Sequence, residues 1–138
     1  MDGNEMYEVV LLGLCVWRES RNQPMIAQQG VAWTIKNRAD HPGWWGHSIV
    51  SVVLHPWQYS SFNAADPNAT KLPTEDDPAW AQCLGVAQDV WQGITADPTS
   101  GCENYFDASL DSHPPTWATD GSYSKIIDLG ELRFWRRV

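Results

Sequence analysis

Glu19 closes the apolar part of the stretch "CVWRESRNQP", residues 15–24, and stands between Arg18 and Arg21 beside Ser20. A carboxyl that emerges where a buried helix runs out sits at the floor of whatever surface the next loop leaves open. Partial burial, the negative end of the helix dipole and nearby indoles all disfavour its ionised form, whereas the two arginines favour it. A raised pKa is what a general acid needs. The plain alternative is a solvated salt-bridge cluster at a helix end.

A second group of candidates lies in the central loop "HPWQYSSFNAADPN", where Gln58, Tyr59, Ser60 and Asn63 set polar groups among aromatics. Trp44 and Trp45 precede it in "PGWWGH". Aromatic faces with interleaved amides suit sugar rings, which present apolar C–H faces and equatorial hydroxyls. The chain has nine tryptophans in 138 residues, an excess that asks for such a use. The four histidines, His41, His47, His55 and His113, lack the i, i+4 spacing of a zinc site and read as surface residues, so no metal is expected. "SSF" and "DSH" hold the residue types of a serine hydrolase, but no G-x-S-x-G elbow accompanies them.

The elements that must position these groups are mostly helical. Residues 6–18 are apolar nearly all round, which predicts a helix central to the core, with Asp2 or Asn4 as its cap. A second helix is expected from Pro24, at its first position, to about Arg38, with Ala27, Gly30, Val31 and Thr34 along one stripe. Residues 48–54 predict a short apolar helix. "DDPAWAQCLGVAQDVWQG" reads as a capped one, from Asp77 to Gly93. The tail from Lys125 predicts short strands. Residues 1–138 suit a single domain with one core.

Nine Lys and Arg against seventeen Asp and Glu give a net charge of −8, which argues against nucleic acid and anionic membranes as partners. The three cysteines, Cys15, Cys83 and Cys102, lack close pairing and are expected as reduced core residues. Acids near the N-terminus and a short apolar run speak against a secretory signal or a membrane-inserting segment.

Five blocks in order, "CVWRESRNQP" with "AQQGVAWTIKNR", "PWQYSSFN", "DPTSGCENYF" and "GELRFWR", resemble the spore-cortex-lytic (SleB-type) cell wall hydrolases, in particular their phage-encoded, endolysin-like single-domain members. The match runs over about residues 7–135. The resemblance implies a mainly α, lysozyme-like (α+β) fold acting on peptidoglycan glycan strands. It carries the catalytic glutamate onto Glu19 and substrate-lining residues onto Gln58, Tyr59, Ser60 and Tyr105. Two positions depart from the family's pattern: Gln23 stands where many members have a second glutamate, and Leu132 stands where a histidine is common.

With one carboxylate carried over, the resemblance implies a lytic transglycosylase that leaves 1,6-anhydro-muramyl ends and needs no cofactor. A hydrolytic muramidase would instead recruit Asp66, Asp97 or Asp107 as its second carboxylate. A non-catalytic glycan-binding module would use Glu19 merely to pair with Arg18 or Arg21. The expected setting is phage-type host lysis by a monomer. It would be made in the host cytoplasm and act on the periplasmic wall once a holin opens the membrane.

Overall fold

The computed structural model describes residues 1–41, 43–55 and 58–138, and the side chain of Ser60 also lies outside the described set. Helix α1, Gly3–Ser20, starts on a reciprocal cap. Asp2 accepts the Glu5 amide at 2.9 Å while the Glu5 carboxylate accepts that of Asp2 at 2.9 Å, which makes Asp2 the capping residue. Such a cap contributes about 1 kcal/mol. Leu11, Leu12, Cys15, Val16 and Trp17 are buried, as the all-apolar run predicts. The first turns differ from that expectation, because Met6, Tyr7 and Val10 are exposed.

Helix α2, Met25–Asp40, begins one residue later than expected, with Pro24 as its N-cap. Its buried stripe runs through Ala27, Val31 and Thr34 and then, one turn further, onto Arg38. Helix α3, Ile49–Leu54, is opened by a Ser48–Ser51 capping box. Helix α4, Pro78–Gln92, matches its signals: Asp77 caps it, proline leads it, and Gly93 ends it at φ 74°. Asp77 Oδ2 also accepts the Trp17 indole N–H at 3.1 Å, which fixes the start of α4 to the last turns of α1. The same two helices meet closely at Gly13, where an added Cβ would lie 3.2 Å from Leu84 Cδ1.

Three strands, β1 (Asn104–Asp107), β2 (Tyr123–Leu129) and β3 (Leu132–Arg137), form an antiparallel sheet in the order β1-β3-β2. The tail strands are as expected; β1 is an addition, four residues long with too little alternation to announce itself. In the register Tyr105 lies opposite Phe134, and their rings sit 5.6 Å apart. Phe134 is fully buried against α2, where a Cβ on Gly30 would come within 2.7 Å of its ring. Glycine at position 30 therefore lets the sheet close onto the helix and brings Tyr105 to the end of α1.

The three cysteines are buried and unpaired. Several indoles act as staples as well as filler: Trp33 donates to the Thr95 carbonyl, Trp45 to that of Arg38, and Trp91 to the Glu8 carboxylate. No helix among the described residues is long and apolar enough to cross a membrane.

Candidate active site

The last turn of α1 is held from several directions, and the Glu19 side chain is left free of those ties. Buried Gln28 donates to the Ser20 and Gln23 carbonyls at 3.2 Å each and accepts from Gln82 of α4 at 2.9 Å. Arg21 Nη1 donates to the Trp17 and Arg18 carbonyls, satisfying helix-end acceptors, and its guanidinium lies over the Trp17 ring. Arg18 reaches outward to the central loop and donates to the carbonyls of Ser61, Ala69 and Lys71, each at 3.1 Å. It also covers the Phe62 ring at 4.6 Å.

Neither arginine forms a salt bridge with Glu19, which corrects the expectation that they hold its pKa down. Glu19 Oε1 instead accepts the Tyr105 hydroxyl at 2.8 Å. Burial is the main influence and raises the carboxyl pKa above the ordinary glutamate range. The Tyr105 hydrogen bond opposes it, as does the nearby Ser61 hydroxyl, which makes no hydrogen bond of good geometry, while the charge of Asp66 pushes the pKa further up. Burial, reinforced by the adjacent carboxylate, also drives the Tyr105 phenol well above its usual value, so it stays neutral and donates.

Glu19 lines two hollows. One, of about 310 Å³, is bounded by Trp44, Trp117, Gln58, Tyr59, Tyr105, Asn104 and Arg38 as well as the acid. The other, of about 330 Å³, is polar and includes Gln23, Asn68, Asp107 and Glu131. Together they place the carboxyl between an aromatic compartment and a polar one. A chain of sugar rings running through both would present a bridging oxygen to Glu19.

Three of the four substrate-lining residues taken from the sequence, Gln58, Tyr59 and Tyr105, meet Glu19 in the aromatic hollow. The side chain of the fourth, Ser60, lies outside the described residues. Of the tryptophan pair, only Trp44 is available, 66% exposed and edge-on to His55; Trp45 is buried in the core. Arg38, Asn104 and Trp117 are additions. Arg38 had a signal in the sequence: it continues the i, i+3, i+7 stripe of Val31 and Thr34, where a cation is out of place unless it serves the site.

The alternative carboxylates separate clearly. Asp97 is saturated, accepting from Thr99 N and Oγ1, Gly101 N and Asn37 Nδ2. Asp66 caps the short helix Pro67–Thr70 through the Asn68 amide. Asp107 lines the polar hollow with Glu19, and Asp66 stands close enough for its charge to raise the Glu19 pKa. The two departures from the family's pattern prove to be neighbours, for Gln23 Oε1 accepts the amide of Glu131, next to buried Leu132. Gln23 thus holds the β2–β3 turn in place.

Comparison with known proteins bears on the fold and the family. No curated protein sequence matches the chain. The fold is similar to the catalytic domain of the Bacillus cereus SleB protein, with a TM-score of 0.72 and 23% identity over 94% of this chain and 89% of that one. It is likewise similar to the catalytic domain of the germination-specific lytic transglycosylase SleB from Bacillus anthracis, with a TM-score of 0.71 and 22% identity over 97% and 95% of the two chains. The fold is therefore lysozyme-like. The family model for cell wall hydrolases matches residues 22–135, beginning three positions after Glu19, so the role of that residue rests on the geometry around it. With that match over most of its length, the chain belongs to the cell wall hydrolase family.

Proposed function

We propose that the protein cleaves peptidoglycan between N-acetylmuramic acid and N-acetylglucosamine as a lytic transglycosylase. The observation that carries this reading is Glu19 itself: a partly buried carboxyl with a raised pKa, hydrogen-bonded to a neutral phenol, and the one carboxylate among the described residues lining the aromatic hollow. Protonated Glu19 gives its proton to the bridging oxygen as the C1–O bond breaks. The carboxylate then takes the proton of the muramyl C6 hydroxyl, whose oxygen closes onto C1. No water is consumed and the acid is regenerated. General acid–base catalysis of this kind contributes about 10² to 10⁴ in rate, and positioning supplies the rest.

A hydrolytic muramidase is the second reading, and one observation favours it: Asp107 lines the polar hollow together with Glu19. Hydrolysis needs a second carboxylate about 5 Å from the acid for retention or about 6.5–9.5 Å for inversion. The resemblance to phage-encoded members supports a role in host lysis, with synthesis in the host cytoplasm and access to the periplasmic wall through a holin.

A single experiment tests cleavage and setting together. Cells producing the wild-type chain should lose turbidity only when a holin is co-expressed, and Glu19→Gln should abolish lysis under the same conditions. Retention of more than about a tenth of the activity by Glu19→Gln would contradict the assignment, since loss of an acid–base group costs at least about 10².

A further inference from the structure

We propose that Arg38 and Gln58 clamp a secondary amide of the substrate on the aromatic side of Glu19, with Arg38 Nη1 donating to its carbonyl and Gln58 Oε1 accepting its N–H. The inference deepens the peptidoglycan reading above and rests on it. Arg38 is 4% exposed, an unusual depth for a cation. Its Nε donates to the Glu103 carbonyl and its Nη2 to Asn104 Oδ1, which fixes the plane of the guanidinium. Trp45 and Tyr59 present their rings to it, each at 5.5 Å. No carboxylate among the described residues forms a salt bridge with it, and Nη1 is buried without a hydrogen-bond partner.

Gln58 Oε1, in the same hollow, is also buried without a partner, and so is the Tyr59 hydroxyl, which can either donate or accept. Orphaned buried polar atoms are costly and rare, so three at one cavity point to a ligand, and the two of fixed role, Arg38 Nη1 and Gln58 Oε1, set what it must offer. One is a donor and the other an acceptor, supplied by two different elements. A carboxylate would meet Arg38 well but would face the oxygen of Gln58. A hydroxyl is a weaker acceptor for a guanidinium than an amide carbonyl. A secondary amide matches both atoms. In a peptidoglycan strand that group occurs as the 2-acetamido substituent of the sugars and as the amides of the peptide stem, beginning with the lactyl–peptide link.

The test is a fluorescence titration of the Glu19→Gln protein, read through Trp44 and Trp117 at the hollow, with three probes. Tetra-N-acetylchitotetraose carries acetamides alone, cellotetraose carries neither amide, and muramyl dipeptide carries both kinds. A site built on hydrogen bonds to an amide rejects an analogue without one, so the acetylated tetramer should bind at least about tenfold tighter than cellotetraose. Adding Gln58→Leu should erase that preference. Arg38→Lys, checked for folding by circular dichroism, should weaken the acetylated probe more than cellotetraose.

Tight binding confined to muramyl dipeptide would keep the clamp and assign it to the stem amide. Equal binding of all three probes, binding of none, or an unchanged preference in Gln58→Leu would overturn it. Failure of the cleavage reading would appear separately, as intact sacculi after treatment with wild-type protein.

Discussion

Both arginines beside Glu19 are engaged by backbone carbonyls, which leaves burial and a phenol to set the acidity of the carboxyl. The linkage has a definite sign. Because the folded-state pKa is raised, the protonated form is favoured by folding. The associated stability is present below the ordinary glutamate pKa and is lost as pH rises through the raised one. Glu19→Gln should therefore melt slightly higher than wild type near neutral pH and equal to it in acid. Activity needs the protonated form and should fall over the same alkaline limb. Tyr105→Phe removes a hydrogen bond that favours the anion, so the limb should move to higher pH as total activity drops. A pH–rate profile checks this, and a limb moved to lower pH would mean that Tyr105 does not act on the carboxyl as described.

At the scale of elements, the site depends on the sheet closing onto α2 beside the end of α1. Gly30→Ala drives a Cβ to within 2.7 Å of the buried Phe134 ring and should destabilise the fold by about 1–3 kcal/mol in urea unfolding, with Tyr105 displaced. Gly85→Ala is the control: nothing lies within 4 Å and the site is helical and exposed, so it should stabilise by about 0.5–1 kcal/mol. The helices were legible in the sequence because caps and breakers mark them: Asp77, Pro78 and Gly93 bound α4, and Ser48 opens α3. Strand β1 and the roles of Arg18 and Arg21 were not legible. A four-residue strand is defined by its partner across the sheet, and an arginine's partner by which loop folds over it. For Glu19, its place at a helix end was readable from position, and its hydrogen bond to Tyr105, 86 residues away, was not.

For the whole molecule, a net charge of −8 meets a substrate that itself carries carboxylates. Long-range attraction is absent, so there is none for salt to screen. Digestion of isolated sacculi should stay level or rise modestly from low to physiological ionic strength; a steep fall would reveal a basic docking face that steers the substrate. Glu19 stands between two hollows of different character, aromatic on one side and polar on the other.

The central claim is that one carboxyl serves as both acid and base without recruiting water, and the products record this directly. Purified sacculi are digested in water enriched in heavy oxygen and the muropeptides are weighed by mass spectrometry. The single-carboxylate route predicts 1,6-anhydro-N-acetylmuramic ends, lighter by one water than hydrolytic products and free of the label. Reducing muramyl ends that carry the heavy oxygen would contradict it and would make Asp107 and Asp66 the next residues to replace.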